Sequence, residues 1–567
     1  MTKKVRFFSL LVFSLLSALS LLAEEKQLLY FGWKVPQFLR GWQVPVEKLE
    51  QDLPFDGLGI NPILELQRNG KTVRYFMTQA RIKDASAVQL DKKDLAPWID
   101  AFSKLKFTRF KHNFIQTTTS TMSADWFDDA AWQRALNHFR MCAYLAKETG
   151  CVGIAFDVEA YPTTTDAPFA FRPLTKEPLE KVRAQVRKRG KEWILALAEE
   201  YPNMELFTFH WLSICHKNTR NSSFFLLPDF INGIYDGLPD GIVIHDGNED
   251  PGYRAIFPAE YTKIVSDYYH HTFKLVAPEN QSKFHAKTYL ATSLYLDSFV
   301  EGKRSFRNWE RTPNRVKALQ EAVTLTLAHS DKYAWIWGES GTFWPGQHYQ
   351  NYPDWNQKIP FVKEAIAAGR DREGAVLKYA EKANLAYNVR NWTMWLDKKT
   401  NSGEIIRESN SILFKNITKA EVTQTLKRKF NPGERYVCAV KAKVNGECMT
   451  PVIDAFFRDG ANKILMTHKA RATFGPVQAD GWRQAVLILD IPSAPAISSI
   501  TFGCNVLGSK FGFTPESWCR FTDARIQKVV YPWDVLPTPA PAEKKSDKPA
   551  QSVEQKSDKP APPAEKK

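Results

Sequence analysis

From about residue 27 to about residue 370, short apolar runs alternate with longer amphipathic stretches. That is the pattern of strands and covering helices in an α/β fold. The runs that read as strands are 28–33, 57–61, 107–113, 152–159, 205–211, 241–246, 288–296 and 333–339. A 3.6-residue period predicts helices over 130–149, 179–201 and 315–329. Eight strand–helix units with long loops predict a (β/α)8 TIM barrel over residues 27–370. An open doubly wound sheet would carry a Gly-rich first turn, and the sequence has none.

Around residues 371–390 the pattern changes. Strand-like runs at 435–444, 452–458, 484–489, 498–504 and 519–529 are punctuated by Asn431-Pro432-Gly433, Asn445-Gly446 and Asp459-Gly460. They predict an all-β jelly-roll sandwich over 386–530. Residues 533–567 are Pro-, Ala- and Lys-rich, with K-S-D-K-P-A at 545–550 and again at 556–561, and read as a disordered tail. At the other end, Lys3, Lys4 and Arg6 precede an apolar run over 7–22 and the small residue Ala23. Residues 1–23 therefore read as a signal peptide, which predicts a secreted or periplasmic protein. No transmembrane segment is expected in the mature chain.

The formal charge of +15 is diffuse, and three of the cations fall in the leader. With no zinc-finger spacing, P-loop or dinucleotide motif, neither a nucleic-acid partner nor a cofactor is expected. The 17 Trp suit sugar-stacking surfaces as well as large cores. Export permits disulfides, so Cys142 with Cys151, Cys438 with Cys448 and Cys504 with Cys519 are possible pairs; small buried thiols are the other reading.

The chemistry concentrates at residues 151–162, C-V-G-I-A-F-D-V-E-A-Y-P. Strand alternation sends Ile154, Phe156 and Val158 to one face and Ala155, Asp157 and Glu159 to the other. Two carboxylates at the end of a buried strand are costly unless paired or used. Glycoside hydrolysis uses such groups, one to protonate the leaving oxygen and another to meet the sugar cation. Barrel active sites lie at the C-terminal ends of the strands. Those ends offer Trp33, Asn61, His112 or Asn113, Asp157, Glu159, His210, Trp211, Asp246, Glu249, Tyr295, Asp297 and Glu339. Glu159 is the expected general acid. The second carboxylate is Glu339, Asp157 or Asp246. Trp33, Asn61, His112, His210, Trp211, Tyr295 and Trp337 are expected to bind substrate. Three histidines, His112, His210 and His245, lie on different strands without metal-ligand spacing, so no metal is expected. His216, Lys217 and Arg220 could meet anionic sugar groups or belong to a solvated loop.

With G-I-A-F-D-V-E-A-Y on its fourth strand and W-I-W-G-E-S at 335–340, the chain resembles barrel-fold glycoside hydrolases. In N-L-A-Y-N-V-R-N-W, P-G-E-R-Y-V-C-A-V-K-A-K and F-T-D-A-R-I-Q-K-V, the second region resembles jelly-roll carbohydrate-binding modules. The resemblance implies an acid/base Glu at the end of the fourth strand, which is Glu159, and a polysaccharide or glycan substrate. Two departures leave the family open: Val158 stands where an Asn commonly precedes the catalytic Glu, and only Asp157 and Glu159 remain of the chitinase-like D-x-x-D-x-D-x-E run. A non-catalytic glycan-binding protein on a barrel scaffold and a polysaccharide lyase are the alternatives.

Overall fold

A computed structural model describes residues 25–32, 45–68, 70–78, 89–159, 167–171, 176–217, 222–301, 314–344, 353–396, 403–417, 419–445, 449–465, 470–508 and 516–536. The expected signal peptide and most of the expected tail lie outside the described residues. The first strands are β1 (Gln27–Gly32), β2 (Gly57–Ile60), β3 (Ile63–Arg68), β4 (Lys71–Phe76), β5 (Phe114–Thr118) and β6 (Gly153–Asp157). Next come β7 (Glu205–Thr208), β8 (Val243–Asp246), β9 (Thr288–Leu290), β10 (Ser293–Tyr295) and β11 (Tyr333–Gly338). Strands β3 and β4 form a separate hairpin, and the rest make one parallel sheet in the order β10-β11-β1-β2-β5-β6-β7-β8-β9.

The two ends of that order are successive pieces of one stretch, interrupted at Ala291 and Thr292. The Ala291 N–H donates to Asp246 O at 2.8 Å, and the Trp335 N–H donates to Thr292 O at 3.2 Å, so the sheet curls until both ends lie within residues 288–295. What forms is a curled nine-stranded parallel sheet in place of the eight unbroken strands expected. The interruption has a local cause. The Thr292 N–H donates to Ser330 Oγ at 3.0 Å and its hydroxyl to Thr326 O at 2.9 Å, diverting this residue from the ladder to the end of the helix Arg315–His329.

A second correction concerns the third barrel strand, expected at 107–113 and found at Phe114–Thr118. The Glu50 carboxylate accepts the N–H groups of Thr108, Arg109 and Phe110 at 2.8–2.9 Å, so this stretch is held as a loop. The strand begins only after Asn113, whose side chain accepts the Leu58 N–H at 2.9 Å.

The inner face of the sheet carries Leu29, Phe31, Phe114, Ala155, Phe207, Phe209, Trp335 and Trp337 in one buried cluster. The outer face sends Ile154, Phe156 and Val158 into the layer shared with the helices. Helices Asp129–Glu148 and Leu179–Glu200 flank β6, the first capped by the Asp128 side chain accepting the Ala131 N–H. Helix Leu179–Glu200 crosses helix Leu227–Gly237 where Gly190 meets Gly233. A Cβ on Gly190 would lie 2.0 Å from Phe230 O, and one on Gly233 would lie 1.8 Å from Arg187 O, so the crossing requires glycine on both sides. At the N-terminal end of the strands a polar plug forms. Glu205 bridges Lys332 at 2.8 Å and His245 at 2.7 Å, and His112 meets the Tyr333 hydroxyl at 2.9 Å.

Between Thr393 and Val529 lie two five-stranded antiparallel sheets with their own buried cluster, including Phe414, Cys438, Phe502 and Phe521. Val437 and Val529 instead join the hydrophobic cluster of the α/β region. Arg435 reinforces that contact with ion pairs to Glu321 and Asp490, each at 2.6 Å. Beyond the sandwich the chain returns as the short helix Pro532–Val535. Trp533, expected at the start of a disordered tail, is fully buried: it stacks on Tyr531 at 4.9 Å and donates from Nε1 to Gln320 Oε1 at 3.3 Å. Cys142, Cys151, Cys215, Cys438, Cys504 and Cys519 are free and buried, so the possible 142–151 and 504–519 disulfides are not formed; Cys448 lies outside the described residues.

Candidate active site

β6 carries Asp157 as its last residue, with Glu159 two residues beyond. The Glu159 N–H donates to Asp157 Oδ1 at 2.9 Å, and the Thr119 hydroxyl donates to Glu159 O at 2.8 Å. Both acids therefore continue the inner face begun by Ala155. Asp157 is 2% exposed, and burial together with the Glu159 charge holds its carboxyl well above the usual range, favouring the neutral form.

His210, just beyond β7, places Nε2 3.0 Å from Glu249 Oε2. Burial alone would depress the imidazolium, but the Glu249 carboxylate outweighs it, with Glu159 and Asp157 adding to the effect, and the group rises to about 9. The Tyr253 hydroxyl donates to the same Glu249 oxygen at 2.8 Å. Its ring lies 5.0 Å from that of Tyr295, whose hydroxyl donates to Glu339 Oε2 at 2.9 Å. Trp337 Nε1 donates to Glu339 Oε1 at 3.1 Å. Asp297 fixes the turn beneath, accepting the N–H groups of Glu339 at 2.8 Å and Ser340 at 3.2 Å. A chain of contacts thus runs along the C-terminal rim from His210, just beyond β7, to β11.

Of the expected residues, Asp157, Glu159, His210, Tyr295, Trp337 and Glu339 meet on this rim. Asn61 sits at the end of β2, its amide donating to Gly32 O at 2.9 Å and its oxygen accepting from Thr78 at 3.0 Å. Three placements are corrected. His112 precedes β5 and joins the polar plug at the opposite end of the strands, a consequence of the displaced third strand. Trp211 is fully buried in the helix-side core, because β7 ends at Thr208 and the chain turns outward. Asp246 shares the outer face with Ile244; its carboxylate accepts from Ser213 at 3.0 Å, and burial raises it to about 6. Trp33 and Arg220 lie outside the described residues. Strand-end reasoning reached Glu249 but missed Tyr253, although their i,i+4 spacing, spanned by the short helix Asp250–Arg254, signals that they can meet. Among the described residues no group of three or more His, Cys, Asp or Glu is placed to hold a metal ion, and no helix is long and apolar enough to cross a membrane.

No protein-family model matches the chain, and no curated protein does. Among solved structures it is similar to a glucosidase from Croceicoccus marinus, at 9% identity and a TM-score of 0.36, over 86% of this chain and 97% of that one. It is also similar to a xylan-binding domain from Paenibacillus barcinonensis, at 12% identity and a TM-score of 0.19, over 27% of this chain and 99% of that one. A third likeness is to the enzymatically active domain of tailspike protein 4 of bacteriophage CBA120, at 15% identity and a TM-score of 0.20, over 26% of this chain and 21% of that one.

Proposed function

We propose that this protein is an exported glycoside hydrolase that cleaves glycosidic bonds in a polysaccharide or glycan, with Glu159 as general acid. The observation that carries the reading is the Asp157–Glu159 pair on the inner face of the rim, within charge range of His210 and Glu249 and in line with the aromatic residues Tyr253, Tyr295 and Trp337. Flat aromatic faces suit the apolar faces of sugar rings. Glu159 delivers its proton to the leaving oxygen, and the Asp157 carboxyl beneath it holds the Glu159 backbone by accepting its N–H. Glu339 holds the Trp337 and Tyr295 side chains that would flank the sugar.

The lyase alternative needs an unprotonated Tyr, His or Lys as base. Here Tyr253 and Tyr295 are raised by burial and by the carboxylates they donate to, and His210 is tied to Glu249 as a cation. These groups are poor bases, which favours hydrolysis. In this reading the catalytic unit is the curled parallel sheet with its covering helices, over residues 27–370, and the sandwich over 386–530 is a glycan-binding module. Trp395, 50% exposed with the Lys419 ammonium 5.7 Å from its ring, is its platform. A reducing-end release screen over plant, algal, bacterial and host glycans tests the activity. Release by the wild type supports the reading, and no release from any glycan leaves only the binding-protein alternative.

A further inference from the structure

Four carboxylates at or just past the strand ends compete for the second catalytic role, and their surroundings separate them. Asp246 faces the helix layer, where Ser213 holds it. Both oxygens of Glu339 are occupied, one by Tyr295 and the other by Trp337. Asp157 is sealed beneath the rim and held to the Glu159 backbone. Glu249 differs from all three. Among the described residues its two polar contacts, His210 Nε2 at 3.0 Å and the Tyr253 hydroxyl at 2.8 Å, both fall on Oε2 and leave Oε1 outside either one. A carboxylate anchored through one oxygen presents the other in a defined direction without giving up its charge, as the group facing a sugar cation must. Its side chain is 13% exposed, so it is largely shielded yet reachable from the rim. Strands β6 and β7 pair in parallel with Phe156 opposite Thr208, so the chain just past them brings Glu159 and His210, with Glu249 held to it, to the same end of the sheet.

We propose that Glu249 is the second catalytic carboxylate, with His210 and Tyr253 as positioning residues; this rests on the glycosidase reading above. As the anomeric C–O bond breaks, the Glu159 proton passes to the leaving oxygen and Glu249 faces the positively charged carbon. Water completes the reaction, its hydroxyl going to that carbon and its proton returning to the carboxylate pair. One water is consumed and nothing is oxidised or reduced.

The test uses the full-length protein and a panel of 4-nitrophenyl glycosides, whose leaving group departs without acid help. With a glycoside that the wild type cleaves, Glu249→Ala lowers kcat/KM by roughly 10²–10⁴-fold, and added sodium azide restores turnover because the small anion occupies the vacated place. Glu159→Gln loses far less on the same substrate. Tyr253→Phe and His210→Gln reduce kcat more than they raise KM and displace the pH profile, which a merely structural role would not do. The proposal is overturned if Glu249→Ala stays within threefold of wild type, or if its loss persists in azide while its circular dichroism is native. Should the wild type cleave no aryl glycoside and release no reducing ends from any glycan, the glycosidase reading falls first and takes this assignment with it.

Discussion

Asp157 accepts the backbone N–H of Glu159 at 2.9 Å, so the two acids at the end of β6 are locked to one another before any substrate arrives. The bond leaves Asp157 buried beneath Glu159, where ionisation is disfavoured first by burial and then by the neighbouring charge. A folded-state pKa raised above the unfolded value makes the native state lose stability as pH rises above the ordinary Asp range. Asp157→Asn mimics the neutral acid and keeps an acceptor for the Glu159 N–H. The variant should melt higher than wild type at pH 7, with the gap closing towards pH 4, while hydrolysis falls. A variant that melts lower than wild type at pH 7 would contradict a neutral Asp157.

His210 should titrate near 9 by proton NMR, since the Glu249 carboxylate 3.0 Å away outweighs the burial that would lower it. Because its folded pKa lies above the unfolded value near 6.5, the pair's stabilisation is complete below about 6.5 and lost as pH rises through about 9. In Glu249→Gln the titration should move down by more than one pH unit. An unmoved titration would show that Glu249 is not its partner.

The polar plug at the other end of the strands should govern acid stability. Burial would raise Glu205, but His245 and Lys332 outweigh it and bring the group down to about 2. The stabilisation is therefore present above about 4.5 and lost as pH falls towards 2, worth about 3 kcal/mol by linkage. His138, lowered by burial to about 4, adds a loss between about 6.5 and 4. Urea melts of Glu205→Gln should show a deficit of about 3 kcal/mol at pH 7 that shrinks at pH 3. A deficit equal at both pH values would rule out the ion cluster as its source.

Trp533 latches the end of the sandwich to the α/β region. Trp533→Ala should cost about 3–5 kcal/mol and split one calorimetric transition into two, as the sandwich loses its hold on Gln320 and Tyr379. A single transition with less than about 1 kcal/mol lost would mean the latch does not couple the two regions.

How much was legible depended on whether neighbours in sequence or neighbours in space decided each feature. The facing of Ala155, Asp157 and Glu159 followed from a two-residue period, and the flanking helices from a 3.6-residue one. The same period also placed Asp246 on the outer face with Ile244, but its position at a strand end made it look available. The stretch 107–113 has strand composition, yet Glu50, more than fifty residues earlier, takes its N–H groups. Likewise Thr292 interrupts its strand through Ser330, a partner that local pattern does not reveal. Glu249 and Tyr253 lie past the end of β8, where periodicity carries no information and only the fold brings them to His210.

The central claim is that Glu159 donates the proton that breaks a glycosidic bond. Its most direct measurement is the rate of reducing-end release by wild type and Glu159→Gln from one natural glycan, under conditions where both are folded. The account predicts a loss of roughly 10²–10⁴-fold, with much less lost on an activated aryl glycoside. Release by Glu159→Gln at the wild-type rate would contradict it.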